Sequence, residues 1–356
     1  MTEASVPVTA TAITAPASSA TRLTPTALLA ALGALVGAAA LGVLIGPADI
    51  SPLAAMREIV DRLPFLDVSS GLSDQQASIV WQIRLPRVAL GALVGGTLAV
   101  AGAAYQGVFR NPLVDPYLLG VAAGAGLGAT VVFAMSASGG PLLPIGAFAG
   151  AVVAVVATYA LGRSAGGRST ATLVLAGVAM ASFFTAAQSY VQQRSSADVR
   201  RLYGWILGRL STTGWGDVAL AAPYVAVSLV VIFLSRRLLD VLAVDDAEAA
   251  ALGVSPPRVR RWVVAAATLG TAAVVAVSGL IAFVGIIVPH TIRLLAGTSY
   301  RRVIPLSLIL GAAFLVAADV AARTMVSPAE LPIGVVTAFL GAPFFLVVLR
   351  ANRRMS

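Results

Sequence analysis

The sequence contains no cysteine and no lysine, and it has a single histidine, His290. Without cysteine the chain can form no disulfide, thiolate metal site or iron–sulfur cluster. Without lysine it has neither a Schiff base nor the phosphate-loop lysine of an ATPase, and one histidine cannot build a multi-histidine metal site. These absences predict no cofactor, no resident metal and no enzymatic activity of its own. A metal that crosses through this protein would have to be wrapped in another molecule.

Charged residues are also scarce, at 11% of 356 residues, whereas 58% are hydrophobic and the mean hydropathy is +0.92. A soluble domain has about 25% charged residues. Apolar runs of about 20 residues match the ~30 Å hydrocarbon core of a bilayer. In lipid these runs must be helices, because other backbone conformations leave polar groups unpaired. The sequence therefore predicts an all-α integral membrane protein.

All 24 basic residues are arginine, and the net charge is +9. A basic balance can indicate nucleic-acid binding, but here the arginines lie in the breaks between apolar runs. This placement is typical of membrane topology signals, so we expect no nucleic-acid partner.

The chain divides into a polar tail and a membrane domain. Residues 1–26 are rich in Ser, Thr, Ala and Pro and predict a disordered tail. Residues 27–356 form the predicted transmembrane domain. The first apolar run is too long for the apolar part of a signal peptide and predicts a retained span. The predicted spans cover 27–46, 88–108, 117–137, 141–162, 171–191, 217–235, 262–289, 303–322 and 333–349.

The run 262–289 is long enough for one tilted helix, or for two spans that turn near Ser278-Gly279 with a return span over 280–296. Ten spans with a cytoplasmic N-terminus place 15 arginines inside and 9 outside. Nine spans with an external N-terminus give 14 inside and 10 outside, which is nearly as favourable. Charge counting leaves both topologies open.

Glycines recur at four-residue spacing within the predicted spans. Gly91 and Gly95 share one span, and Gly120, Gly124 and Gly128 share the next. Such spacing lets helix backbones approach closely in lipid, so it predicts a tightly packed bundle.

Four segments carry longer motifs, and one of them contains a helix stop and restart. Pro112 and Pro116 lack backbone donors, and Asp115 is placed to cap the next helix. Such a break at membrane depth is expected only where protein or a water-lined cavity shelters it. The four segments are Trp81-Gln82-Ile83-Arg84-Leu85-Pro86-Arg87, Arg110-Asn111-Pro112-Leu113-Val114-Asp115-Pro116-Tyr117-Leu118-Leu119-Gly120, Gly279-Leu280-Ile281-Ala282-Phe283-Val284-Gly285-Ile286-Ile287-Val288-Pro289-His290, and Glu330-Leu331-Pro332-Ile333-Gly334-Val335-Val336-Thr337 followed by Gly341-Ala342-Pro343.

Together these segments resemble the FecCD family, the permeases of ATP-binding cassette (ABC) importers for ferric siderophores, haem and vitamin B12. The resemblance runs from about residue 27 to the C-terminus, and the vitamin B12 permeases are particularly close by motif. It implies a type II importer bundle of ten helices with both termini cytoplasmic, in the bacterial cytoplasmic membrane. It also implies a homodimeric permease, a pair of ATPase subunits and an extracytoplasmic substrate-binding protein. Ferric siderophore is the first expected cargo, followed by vitamin B12 and haem.

The resemblance assigns roles to residues at the outer face. Arg84, Arg87 and Arg323 match arginines that meet acidic residues of the binding protein. A simpler interpretation is that these side chains anchor helix ends at the membrane interface. Asp319, four residues before Arg323, could also pair with it.

The polar stretch 236–261 is the predicted ATPase-coupling loop. In the family this loop forms two short helices that sit in a groove of the ATPase, with Ala250, Leu252 and Gly253 at its centre. The local sequence agrees, because acids at its start suit a helix N-terminus and Gly253 can end that helix. The alternative is a solvated connector.

The resemblance also places the translocation pathway along the span 171–191. The predicted lining residues of this span have no ionisable group and favour an uncharged wall, although ordinary helix packing explains them equally well. His290 is expected to be structural rather than a haem ligand. The residues that represent the predicted pathway are Ala176, Met180, Phe183 and Gln188, with Gly177, Ala179, Ser182, Thr185 and Ala186 on the same span and Gln192 and Gln193 at the entrance.

Two other classes of function fit the sequence less well than a transport permease does. An ion-coupled secondary transporter needs acidic residues buried in mid-span, and the only acid well inside a predicted span, Asp319, lies near one end. An intramembrane protease needs a metal site or a catalytic pair at depth, for which the single His290 is insufficient.

Overall fold

The computed structural model describes residues 23–48, 50–62, 69–136, 140–164, 170–195, 199–211, 214–327 and 329–353, and this part of the chain is helical with short connections. A single π-helical turn, Val80–Arg84, joins α3 to α4. The helices are α1 Pro25–Leu44, α2 Pro52–Asp61, α3 Asp74–Ile79, α4 Leu85–Phe109, α5 Val121–Met135, α6 Leu142–Ser164, α7 Thr170–Arg194, α8 Val199–Ile206, α9 Trp215–Leu242, α10 Asp246–Ala251, α11 Pro256–Ser278, α12 Val284–Ala296, α13 Tyr300–Thr324 and α14 Ile333–Arg353.

Seven helical stretches in the described part are long and apolar enough to cross a membrane: α1, the continuous stretch from α3 to α4, α6, α7, α9, α11 and α13. The helices α5, α12 and α14 are apolar but shorter in their apolar part. The prediction of an all-α membrane protein is therefore confirmed. The total of ten spans stays a prediction.

The ambiguous run 262–289 contains a turn. α11 ends at Ser278, and Gly279 has φ +71°, which a residue without Cβ adopts without strain. α12 then begins at Val284, so of the two alternatives the one with a turn near Ser278-Gly279 is correct.

α4 forms the centre of the bundle and is buried on nearly all sides. It packs against α9, α11, α12 and α13. A side-chain carbon added at Gly95 would collide with the backbone of Gly311 in α13, and one added at Gly102 would collide with Gly285 in α12. The tight packing predicted from glycine spacing is confirmed here, since only glycine permits this separation between backbones.

Several predicted boundaries are wrong. α1 begins at Pro25, inside the predicted tail 1–26, because the Thr24 side chain accepts a hydrogen bond from the backbone N–H of Ala27 and caps the helix. Residues 1–22 of that tail lie outside the described residues. The span predicted at 117–137 begins only at Val121, because residues 115–120 form a turn that ends at Gly120 with φ +82°.

Half of the predicted connector 236–261 belongs to α9 and α11, the helices that continue into it from the predicted spans. α9 runs on to Leu242 and α11 begins at Pro256, which leaves only residues 243–255 between them. This interval holds one short helix, α10, rather than the two expected. Hydropathy marks where lipid ends, whereas a helix continues as long as its backbone bonds and packing persist.

Candidate functional site

The side chains with predicted roles lie at the two ends of the bundle and along α7. At one end Arg110, directly after α4, donates to Asp246 at the start of α10. We call this the α10 end. The opposite end carries Arg84 and Arg87 beside the start of α4 and Arg323 near the end of α13, and we call it the arginine end.

Arg84 closes the C-terminal end of α1. Its side chain is buried, with 3% of the residue exposed. One guanidinium nitrogen donates to the carbonyls of Val43 and Leu44 at 2.8 and 3.1 Å, and another donates to Ala48 at 2.8 Å. The last carbonyls of a helix have no intrahelical partner and favour a nearby cation, so Arg84 stabilises the junction of α1 with the start of α4.

Arg87 and Arg323 belong to a buried ion-pair network. Arg87 donates from Nε and Nη2 to both carboxylate oxygens of Asp319, at 2.9 to 3.1 Å, and from Nη1 and Nη2 to Glu330 at 2.9 Å. Arg323 Nε lies 3.6 Å from the Asp319 carboxylate, which confirms the ion pair suggested by their spacing in sequence. The Nη2 of Arg323 donates to the carbonyl of Gly42. The network joins α1, α4, α13 and the segment before α14.

None of the three arginines offers an exposed guanidinium at this end. The carbonyls at the end of α1 and the acids Asp319 and Glu330 enclose the three side chains instead. Contact with a binding protein stays a prediction.

α10 ends in a left-handed turn that leaves an apolar tip in solvent. Gly253 has φ +79° and donates to Ala250 at 2.9 Å, and Val254 donates to Ala249 at 3.0 Å. This pair of bonds satisfies the last carbonyls of the helix, so the predicted helix stop at Gly253 is confirmed. Ala250 and Gly253 are exposed, and Leu252 is 67% exposed.

Asp246 fixes α10 to its neighbours. Arg260 of α11 donates to both of its carboxylate oxygens, at 2.7 and 2.8 Å, and Arg110 donates from the other side. The hydrogen bonds from Arg260, assisted by Arg110, hold the pKa of Asp246 below its ordinary value. The carboxylate therefore stays ionised at neutral pH, and the α10 tip is tied to α4 and α11.

A groove of about 670 Å³ runs along one face of α7. Its wall is uncharged and mixes small, apolar and hydroxyl side chains. It is lined by Tyr117, Leu118, Gly177, Val178, Ala181, Ser182, Thr185, Ala186 and Ser189.

The four representative pathway residues do not line this groove. Ala176 is buried within the chain, Met180 is half-buried, and the side-chain amide of Gln188 lies against Gly126 of α5. Phe183 is exposed, but at about 100° per residue it points about 140° away from Val178 on the groove face. Four other predicted residues, Gly177, Ser182, Thr185 and Ala186, do line it.

Tyr117 joins the two breaks in the helical bundle. Its hydroxyl donates to the carbonyl of Ile281 and accepts from the Ile281 N–H, both at 3.0 Å. Asp115 accepts from the Tyr117 N–H at 2.8 Å, so it caps the turn 115–120 rather than α5 as predicted. The break is sheltered by protein, as expected for irregular backbone at membrane depth.

His290 packs edge-on against Phe344 at a ring separation of 5.9 Å. Over the described ranges, no group of three or more metal-binding side chains comes together. The prediction that His290 is structural agrees with its aromatic contact.

Sequence reasoning missed the partners of the predicted residues. Glu330 lies within a recognised motif but received no role, although it accepts two bonds from Arg87. Asp240 at the end of α9 also received none, although it accepts from Ser299 and from the Tyr300 N–H at the start of α13. The only sequence signal for these two acids was their position, within a motif for Glu330 and at a helix end for Asp240. Their partners are distant in sequence, so the three-dimensional fold is needed to identify them.

Comparison with known proteins gives consistent matches along most of the chain. Residues 9–351 match the FecCD transport family. The cobalamin import system permease protein BtuC of Halobacterium salinarum is 42% identical over 284 residues, which cover 79% of this chain and 75% of that protein. The hemin transport system permease protein HmuU of Yersinia pestis is 37% identical over 285 residues, 78% of this chain and 85% of that one.

A solved structure has the same architecture. It is described as an inward-facing conformation of a metal-chelate type ABC transporter, with a TM-score of 0.78 and 29% identity over 92% of this chain and 100% of that chain. The matched family, the relatives and the apolar helices agree with one another. The chain belongs to the FecCD transport family and is a multi-pass membrane permease.

Proposed function

We propose that this chain is the permease subunit of an ATP-driven importer that moves a metal chelate across the cytoplasmic membrane. The observation that carries the proposal is the family match over residues 9–351. Ferric siderophore is the first candidate cargo. Vitamin B12 and haem are the next candidates, in agreement with the names of the cobalamin and hemin permeases among the relatives. The uncharged α7 groove suits a bulky cargo that needs no ion pair to the wall.

The proposed partners follow from surfaces at each end. The α10 tip, formed by Ala250, Leu252 and Gly253, offers an exposed apolar contact to a cytoplasmic ATPase dimer. The arginine end faces outward in this arrangement and receives the substrate-binding protein. Exposed apolar residues such as Phe183 of α7 and Phe339 of α14 provide surface for a second copy of the permease.

Uptake into vesicles is expected to require ATP, the ATPase and the binding protein together. Reconstituted permease should co-purify with the ATPase, and radiolabelled chelate should accumulate only when all three are present. Omitting each component in turn is the control.

An ion-coupled secondary transporter is the alternative. It would take up cargo along a proton or sodium gradient and would ignore ATP. Asp319, the acid expected to serve such coupling, is already paired with Arg87 and Arg323. Gradient-driven uptake without ATP would overturn the proposal.

Filling the α7 groove is expected to block transport. Ser182→Trp places a bulky ring on the groove face and should lower the uptake rate about tenfold or more, which corresponds to about 1.4 kcal/mol on the barrier. Tyr190→Trp is the matched control, because Tyr190 of the same helix is already a large aromatic residue, is exposed and does not line the groove. Uptake rates at equal amounts of assembled transporter give the comparison, and equal rates for the two variants would remove the groove from the pathway.

A further inference from the structure

A basic cavity of about 550 Å³ lies at the α10 end. It is enclosed by the end of α4, the end of α9, the end of α12 and the turn into α13. Four arginines and one aspartate supply its charged lining in the described part of the chain. They are Arg110, Arg293, Arg301, Arg302 and Asp240.

The carboxylates around this cavity are already bound. Asp240 accepts from the Ser299 hydroxyl at 2.9 Å and from the Tyr300 N–H at 2.6 Å, and it lies 3.6 Å from Arg301. It therefore occupies the N-terminus of α13, where an anion is favoured. Asp246, which does not line the cavity, binds Arg110 and Arg260.

Arg293 and Arg302 have only neutral partners within the described residues. Arg293 donates to the Gln106 side chain and lies over the ring of Tyr300 at 5.6 Å. Arg302 donates from Nη1 to the Ala296 carbonyl at 2.7 Å, while its Nε is buried and has no hydrogen-bond partner. Two guanidinium groups thus share a partly enclosed space in which no carboxylate is left to neutralise them.

This arrangement favours a phosphate group as the missing anion. The planar fork of arginine matches phosphate oxygens with two parallel bonds. Basic pockets between membrane helices on the cytoplasmic side are typical sites for lipid headgroups. Leu294 and Leu295, at the end of α12 beside the cavity, are 70% and 80% exposed and could lie along an acyl chain.

We propose that the cavity binds a phosphate group through Arg293 and Arg302, either of an anionic phospholipid or as free phosphate. Its position in the cytoplasmic leaflet rests on the orientation in the proposed function. The bound phosphate joins the ends of α4, α12 and α13 beside the Asp246 contact that holds α10. Binding of a lipid headgroup or of phosphate in this cavity would thus stabilise the region that carries the α10 tip.

The test uses the purified full-length permease without ATPase, binding protein or cargo, so it does not depend on transport. Melting temperature and lipid retention by native mass spectrometry are measured with phosphatidylglycerol, with phosphatidylcholine and with inorganic phosphate. We expect phosphatidylglycerol to be retained and to raise the melting temperature more than phosphatidylcholine does. A comparable rise with inorganic phosphate, without lipid retention, would support the same site with free phosphate as its source.

Arg302→Gln and the double variant Arg293→Gln/Arg302→Gln are expected to weaken this binding about tenfold or more, since charge-assisted bonds are the stronger class. Arg258→Gln, an exposed arginine of α11 outside the cavity, is the control and should bind like the original chain. Arg302→Gln removes only one hydrogen bond, to a backbone carbonyl, so we expect this single variant to fold. It can therefore be tested even if the double variant does not fold.

Two outcomes would overturn the proposal. In the first, the cavity variants and Arg258→Gln respond equally to phosphatidylglycerol and to phosphate. In the second, the cavity variants retain lipid normally but, in a separate titration with the ATPase, lose association with that subunit, which would point to an acidic surface of the ATPase as the occupant.

Discussion

Replacing Asp319 with asparagine is expected to destabilise the bundle by about 3–5 kcal/mol, the usual effect of removing one partner from a buried ion pair. The Asp319 carboxylate neutralises both Arg87 and Arg323, and only 3% of Asp319 is exposed. The amide keeps the shape but leaves two buried guanidinium groups without a full counter-charge. Thermal unfolding in one lipid or detergent measures the change.

Glu330→Gln is the matched control at the same end. Glu330 also binds Arg87 at 2.9 Å, but its side chain is 37% exposed. Solvent screens that pair, so we expect a loss of about 1 kcal/mol or less. Equal melting temperatures for Asp319→Asn and Glu330→Gln would show that the buried position of Asp319 contributes nothing special.

Removing the stranded charge should restore part of the loss. In Asp319→Asn/Arg323→Gln one unpaired guanidinium is gone, so the two substitutions should be less harmful together than their sum, as expected for residues in contact. For the same reason Arg87→Glu is not a suitable test of docking to a binding protein. This variant would place a third carboxylate beside Asp319 and Glu330, so it would disturb the fold whether or not Arg87 contacts that partner.

The sequence predicted the features that depend on local chemistry. Hydropathy located the apolar segments, although it left open whether the run 262–289 turns between α11 and α12. The acids at the start of α10 and Gly253 at its end predicted that short helix correctly. Each of these signals acts within a few residues, so one sequence is sufficient to read it.

The short helices α2, α3 and α8 were not predicted, because helices of this length are marginal on their own and form by packing on the rest of the fold. α2, for example, is held where Glu58 accepts from the Trp81 indole N–H at 3.0 Å and from Ser70 at 2.7 Å. These contacts join residues far apart in sequence, so no local pattern indicates them.

The site residues divide in the same way. Arg87 meets Glu330 across 243 positions of sequence, so the burial of the arginines depends on the whole fold. Apolar and small polar residues are spread around all sides of α7. The sequence of this helix therefore does not indicate which of its faces lines the groove. The predicted span therefore agrees with α7, whereas the sequence could not indicate that Ala176 and Phe183 lie outside the α7 groove; their role in the pathway stays a prediction.

A charge at the α10 tip is expected to disconnect ATP hydrolysis from transport. Leu252 is 67% exposed and has the largest apolar side chain of the tip. If the ATPase buries it, the contact is worth about 1.5–3 kcal/mol, and Leu252→Glu should weaken association with the ATPase about tenfold or more. Because Leu252 is exposed in the permease, its melting temperature should change little, within about 0.5 kcal/mol of stability.

The control for this variant is Leu53→Glu. Leu53 lies on α2 at the arginine end and is 57% exposed, so it introduces the same charge on a comparable leucine far from α10. Association is measured by titrating the ATPase against permease in nanodiscs, and coupling is measured as chelate taken up per ATP hydrolysed. Leu53→Glu should match the original chain in the association measurement, which needs no binding protein at the arginine end. If Leu252→Glu also behaves like the original chain, the exposed tip is not the surface that the ATPase contacts. The conformational change of the ATPase must then be transmitted through another surface at the α10 end.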